Sequence, residues 1–302
     1  MKRIAILLAL LLCLSACGAK DQEITVTPAE DAAQTTDAAQ TGDNQTDDAA
    51  QTDDAAQTED VKTEARTASA PVVEITYEET TAKADDGTEI LYTKAPMFTV
   101  TIEGNEAAAA AIQADLTKTA KESLGELDHG MSGESESLEA EARDCYEESK
   151  TDGFGWDAPY ANELSAEVER TDEQVVCVAF GSYTHTGGVH GFHYSFGRCY
   201  DAQTGERLTL ENIAADGADV RAFAAANILE QTRDANRFES EMFFEGYEES
   251  INDVVDDGFF FTDEGLMFSA APYALAAYAY GEIDFVIPYA DLAGVVQDQY
   301  LK

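Results

Sequence analysis

Three of the four histidines lie close together in the sequence, where their imidazoles could bind a metal ion. They are His185, His190 and His193. Imidazole is a common nitrogen ligand of zinc, and an Asp or Glu could complete a tetrahedral shell. Side chains alternate across a β-strand, however, so His190 and His193 would lie on opposite faces unless the loop bends. We therefore expect no metal site.

Serine and cysteine side chains near the histidines could act as nucleophiles, but the sequence shows no activated one. Ser182 and Ser195 flank the histidines without a Gly-x-Ser-x-Gly elbow, and nearness in sequence does not make a triad. Cys199 would sooner pair or pack with an opposing Cys177. Carboxylate pairs are uninformative, because 60 Asp and Glu residues always supply a pair at a suitable separation. We expect no catalysis and no cofactor.

A glycine-rich segment beside the histidines has the composition of a protruding loop. Gly187, Gly188 and Gly191 allow positive φ and expose backbone amides, which suits close approach to a ligand. The alternative is a plain strand connection, in which His190 is buried and bonded to backbone carbonyls.

A second segment, residues 272–281, concentrates tyrosine in a stretch that is typical of irregular structure. Tyr273, Tyr278 and Tyr280 could anchor an interface, because tyrosine buries a large area with few torsions. Alternatively, they fill the core beneath a loop and their hydroxyls bond to the backbone. The residues are equally consistent with both interpretations.

Four motifs, in their order along the chain, resemble a known family. They are residues 183–191 (YTHTGGVHG), 201–210 (DAQTGERLTL), 259–266 (FFFTDEGL) and 272–281 (PYALAAYAYG). They resemble the extracellular domain shared by the RsiV-type anti-sigma factor and the N-terminal region of PdaC-type peptidoglycan deacetylases, a family catalogued as a domain of unknown function. The resemblance covers most of residues 71–302.

In the anti-sigma factor this domain is a receptor for lysozyme, so the resemblance implies an α+β fold and a protein-binding or wall-associated role. It implies a contact surface formed by Tyr183, Gly187, Gly188, His190, Gly191, Pro272, Tyr273 and Tyr278, with Pro272 and Tyr273 at the surface. The Asp and His metal-binding motifs of a deacetylase domain are not found, so we do not expect that activity.

The N-terminus predicts export and lipid attachment. Lys2 and Arg3 precede an apolar run, residues 4–12, which is too short to span a bilayer and is typical of a signal peptide. Leu14-Ser15-Ala16-Cys17 resembles the lipobox of bacterial lipoproteins, in which the cysteine is acylated. We expect residues 1–17 to form this signal and Cys17 to hold the protein, through its acyl chains, at the outer face of the cell membrane.

Residues 18–70 predict a flexible spacer. The near-repeat Asp-Ala-Ala-Gln-Thr recurs, and bulky apolar side chains are almost missing, so the segment cannot bury enough surface to order itself. An Ala-rich helix is the competing interpretation, which the recurring Thr and Asp disfavour. Residues 71–302 are then the folded domain, as one body or as two lobes near 71–170 and 171–302.

The charge of the chain restricts its partners. Lys and Arg number 18 against 60 Asp and Glu, giving a formal net charge of −42. Nucleic acid and anionic headgroups are therefore unsuitable ligands, and the lipid anchor is the only membrane contact we expect. A basic protein, with lysozyme-like muramidases as the natural class, suits this field; the alternative is a peptidoglycan or envelope component bound in wall maintenance.

Strand and helix signals predict how these segments are positioned. Strands are expected at 72–79, 88–102, 164–169, 175–183, 192–200, 258–261, 266–270 and 283–287, and helices at 106–124, 134–149, 219–234 and 245–255. Strands in runs, without βαβ alternation, predict an α+β fold with one mostly antiparallel sheet, which the last three strands close, and helices packed on one side. A hairpin centred on Gly188 would set Cys177 opposite Cys199, as a disulfide or as two buried thiols.

Overall fold

The computed structural model describes residues 70–125, 137–152, 155–239 and 241–302. The expected signal peptide with Cys17 and nearly all of the expected spacer, 18–70, lie outside the described residues. Within the described ranges, no helix is both long enough and apolar enough to cross a bilayer. These ranges fall in one compact unit, Thr63–Lys302.

Five strands form the larger sheet, in their order along the chain. They are β1 (Val72–Lys83), β2 (Glu89–Thr101), β3 (Tyr160–Thr171), β4 (Val175–His185) and β5 (Phe192–Asp201). Neighbours are antiparallel except β2 and β3, which run parallel. A parallel pair needs a long crossover, and two helices lie in it: α1 (Glu106–Gly125) and α2 (Leu138–Asp152). The predicted α+β class with a mostly antiparallel sheet is confirmed.

Helix α1 begins where the sequence predicts it. The Asn105 side chain accepts a hydrogen bond from the Ala108 amide at 3.3 Å, as an N-cap does. Ile112 and Leu116 are fully buried on one helix face and belong to the same apolar core as Val178 and Phe180 of β4. The periodicity of small and branched apolar residues therefore sets both the helix and the face that it buries.

The last three strands do not close this sheet, contrary to prediction. β6 (Phe260–Phe261), β7 (Gly265–Ala270) and β8 (Ile283–Pro288) form an antiparallel sheet of their own, joined by α3 (Val220–Gln231) and α4 (Ile251–Asp257). The reason lies in β4, which is apolar on both faces. Val176 and Val178 join the core beside α1, whereas Val175 and Cys177 join the core of the second sheet. The first sheet therefore needs a covering layer on each side.

The two layers come into close contact along β5. A side chain at Gly197 would collide with the Phe259 backbone, so only glycine allows this approach. Glu282 closes the edge of β5, because its carboxylate accepts hydrogen bonds from the Ser195 amide at 2.5 Å and from the Ser195 hydroxyl at 3.0 Å. Cys177 and Cys199 are register partners and are joined as a disulfide.

Arg170 joins the two layers near the end of β3, close to the connection to β4, where the sequence indicates only a turn. The residue is 3% exposed. Its Nη1 donates to the Tyr300 carbonyl at 2.6 Å and to the Tyr289 hydroxyl at 3.0 Å, and its Nε donates to Asp172 at 2.5 Å. Burial opposes the ionisation of Asp172, but the hydrogen bonds from Arg170 and from two backbone amides outweigh it and lower the pKa of this carboxyl.

Candidate functional site

The glycine loop between β4 and β5 projects from the sheet. Gly187 and Gly188 have φ of 89° and 88°, values that a residue with a Cβ rarely adopts. They turn the chain so that Val189 is 98% exposed. The loop thus presents an apolar side chain to solvent, in accord with the interpretation of this segment as a protruding loop.

His190 is exposed on this loop, so the interpretation as a buried core histidine is wrong. Its ring stacks on Tyr278, with 3.8 Å between the centroids and 18° between the planes. The Tyr278 hydroxyl donates to the Gly191 carbonyl at 2.6 Å, and His190 Nδ1 lies 3.0 Å from the same oxygen. Because a carbonyl oxygen only accepts, Nδ1 carries a hydrogen, and Nε2 is left to face other partners.

The tyrosine segment meets the glycine loop at this stack. The rings of Tyr273 and Tyr278 lie 5.6 Å apart, and Tyr273 is 45% exposed. Tyr273 has φ 71°, and among the described residues it is the one non-glycine with positive φ. Such a conformation costs energy and is maintained by the surrounding turn, in which the Tyr273 amide donates to the Ala276 carbonyl at 3.1 Å.

Pro272 was expected at the surface, and the structure corrects this: its ring is buried. The same turn exposes Tyr273 and buries Pro272. Leu275 and Ala276, which follow in the chain, are buried as well. Pro272 therefore supports the segment and is not available for a partner.

Gly191 connects the stack to Tyr183. A Cβ at Gly191 would lie 2.5 to 2.7 Å from two ring carbons and the hydroxyl oxygen of Tyr183, so this side chain packs directly on the glycine backbone. Gly191 is buried by this contact, and Tyr183 remains 38% exposed. We call Tyr183, Val189, His190, Tyr273 and Tyr278 together the aromatic surface.

A shallow hollow of about 400 Å³ lies on the other side of Tyr183. Its lining consists of Glu89, Tyr92, Ala158, Pro159, Ala161, Glu163, Tyr183 and His185. We call it the Glu163 hollow. The sequence gives no signal for it, because its residues come from β2, from β3 with the two residues before it, and from β4, and strand pairing brings these segments together.

The register explains the shape of the hollow. Ala161 lies between Tyr92 on β2 and His185 on β4, so a small side chain separates two large ones. Glu163 is opposite Tyr183 in the β3–β4 pair. Burial, and the carboxylates of Glu79 and Glu163, raise the pKa of Tyr92 above its ordinary value.

The three histidines of this region do not converge on one point. Within the described ranges, no three His, Cys, Asp or Glu side chains are grouped as metal ligands. His190 is stacked on Tyr278, whereas His185 lines the Glu163 hollow. His193 also approaches Tyr278, with 6.2 Å between the ring centroids.

Comparison with known proteins shows similarity to a family of unknown function. Residues 211–290 match a family described as "Protein of unknown function (DUF3298)". Two crystal structures resemble the chain, each covering 76% of it and 95% of the other chain. A DUF3298 member from Bacteroides fragilis has a TM-score of 0.53 at 13% identity, and one from Pseudomonas aeruginosa has 0.45 at 18%. None of the curated proteins matches the sequence significantly.

The matched range contains the second sheet with α3 and α4, and it includes Tyr273 and Tyr278. The glycine loop lies before it. At this level of identity, the Bacteroides fragilis structure establishes a shared fold and no shared ligand.

Proposed function

We propose that this protein is a lipid-anchored extracytoplasmic binding protein without catalytic activity, and that it recognises a basic protein of the lysozyme-like muramidase class. In this proposal Cys17 carries the anchor, and the aromatic surface makes the contact. The observation that supports it best is the aromatic surface itself, where exposed rings from two distant segments are fixed against each other.

Fixed rings bind at a lower entropic cost than mobile ones. The His190 ring is held by the Tyr278 stack, and Tyr278 is held by its 2.6 Å hydrogen bond to Gly191. Val189 is 98% exposed, so it makes almost no contact within the fold and its side chain is free to be buried by a partner. Tyrosine rings presented in this way have the properties of interface anchors.

The charge of the chain supports a basic partner. A net charge of −42 creates a field that attracts cationic proteins and accelerates their association. The resemblance to the RsiV-type receptor domain points to lysozyme, and the DUF3298 match over residues 211–290 agrees with that resemblance at the level of the family alone.

Calorimetry of residues 71–302 with a basic lysozyme, at low and at physiological salt, tests the proposal. We expect sub-micromolar binding that weakens as salt screens the acidic field. Tyr273→Ala should weaken it about tenfold or more, as loss of an interface anchor does. Val189→Ala should weaken it less, by about twofold to tenfold, since it removes two methyl groups.

Val72→Ala is the matched control, because it is the same substitution at another exposed valine, 54% exposed at the start of β1. It should leave affinity unchanged. Absence of binding at both salts would refute a lysozyme partner. Binding of neutral wall fragments that is insensitive to salt would then favour the envelope role.

A further inference from the structure

The Glu163 hollow combines a carboxylate with aromatic side chains. Among the described residues, the Glu163 carboxylate forms no ion pair with a Lys or Arg side chain, since no such nitrogen lies within the 4.0 Å ion-pair distance. The cation nearest in register is Lys94, directly opposite on β2. Its ammonium instead lies over the Tyr77 ring, 4.4 Å from the centroid.

Glu89, another carboxylate that lines the hollow, does have an ion-pair partner. Glu89 forms an exposed ion pair with Lys83 at 3.3 Å. Glu163 is the lining carboxylate without an ion-pair partner among the described residues, and it stands opposite Tyr183 in register.

The walls suit a cation in chemistry and in size. Tyr92 and Tyr183 offer phenol rings, whose faces attract ammonium and guanidinium groups. Tyr92 is a phenol whose ordinary pKa of 10.0 already keeps it neutral at pH 7, so its ring adds no competing charge. Ala161 leaves space in the middle of the hollow, where a flat guanidinium could stack and reach the Glu163 oxygens.

The hollow also adjoins the surface that the proposed function assigns to the partner. Tyr183 belongs to both, with one part of its ring packed on Gly191 and another lining the hollow. We infer that the Glu163 hollow is a receptor site for an arginine or lysine side chain of the basic protein partner, which is held there while the aromatic surface makes the apolar contact. This inference rests on the proposed function and specifies which chemical group of the partner is recognised.

Glu163→Gln in the full chain, kept in detergent micelles, is the test. The substitution removes the charge and keeps the shape, so calorimetry with a basic lysozyme should show affinity about tenfold lower or more, as for loss of a charge-assisted hydrogen bond. Glu74→Gln removes the same charge from an exposed site of β1. That control lies seven residues along β1 from Thr81, the partner of Tyr92, or roughly 23 Å away at the rise of a strand. It should change affinity less than about twofold, a screened surface effect.

The outcomes separate the two proposals. If lysozyme binds and the Glu163 variant equals the Glu74 variant, the hollow is refuted and the proposed function stands. If lysozyme does not bind the unmodified chain, the proposed function fails, and arginine amide, observed by ligand NMR, decides about the hollow. Line broadening that Glu163→Gln abolishes and Glu74→Gln retains supports the cation site, and equal broadening with all three proteins overturns it. Unchanged thermal midpoints exclude misfolding as the cause.

Discussion

Arg170→Met removes the guanidinium that joins the two layers, and the structure allows its cost to be worked out. Of its three partners, Tyr289 keeps another hydrogen bond, from its hydroxyl to the Thr262 carbonyl at 2.8 Å. Asp172 is 34% exposed and can turn to water. The Tyr300 carbonyl loses a buried donor, which costs about 1 to 3 kcal/mol.

The ring contacts of the guanidinium add to this cost. Its carbon lies 5.3 Å from the Phe261 ring centroid and 5.6 Å from that of Tyr289, and loss of these contacts costs about 1 kcal/mol. Methionine restores some apolar packing. We therefore expect Arg170→Met to lower the free energy of unfolding by about 3 kcal/mol at pH 7, near the range for breaking a buried pair.

The same variant should change the pH dependence of stability. The folded-state pKa of Asp172 lies below the ordinary value of 3.8, so this carboxylate stabilises the fold above pH 3.8 and loses that effect as the pH falls through the folded-state pKa. Without Arg170 the pKa rises. The difference in the free energy of unfolding between the unmodified protein and the variant should therefore become smaller in strongly acidic solution.

Urea unfolding of residues 71–302, followed by circular dichroism at pH 7 and at a series of pH values below 3.8, measures both effects. Arg221→Met is the matched control, since Arg221 pairs with Asp256 at the surface, where the side chains are 43% and 48% exposed. It should cost less than about 1 kcal/mol. Equal losses for the two variants, or a loss at Arg170 below about 1 kcal/mol, would refute the role of Arg170 as a clamp between the layers.

Two further predictions concern the hairpin. Gly191→Ala drives a methyl group into the Tyr183 ring, so it should weaken lysozyme binding in calorimetry more than Gly188→Ala does. At Gly188 a methyl group meets no atom within 4 Å, although φ is 88°. Equal effects would contradict a packing role for Gly191. Reducing the Cys177–Cys199 disulfide, which closes a loop with a separation of 22 residues, should cost about 3 kcal/mol of unfolding free energy. Thermal denaturation with and without reductant checks this, and an unchanged midpoint would show that the bond carries no stability.

Much of the fold could be predicted because its signals are local. Asn105 followed by apolar residues at helical spacing specifies α1, and the glycines around Gly188 specify a turn between two strands rich in β-formers. Runs of strands between helices then indicate an α+β class. Each of these inferences depends on neighbours within about one or two turns of chain, so tertiary contacts had little to override.

The division into two sheets could not be predicted in the same way. The strands 260–261, 265–270 and 283–288 have the pattern of strands in any sheet, and their partners are chosen by which apolar faces remain uncovered. That choice depends on both faces of β4 and on the close approach at Gly197. The direction of Pro272 is likewise set by the turn that carries Tyr273, a conformation that side-chain type does not specify.

The sequence by itself determined the acidic charge, the individual helices and most strands, the hairpin register at Cys177 and Cys199, and the two segments that form the aromatic surface. Tertiary structure alone decided that His190 stacks on Tyr278, that Arg170 is buried, and that Glu163 and Tyr183 line one hollow. The physical reason is distance along the chain. Local propensities act over a few residues, whereas these contacts join positions that only strand pairing or the packing of the two sheets brings together.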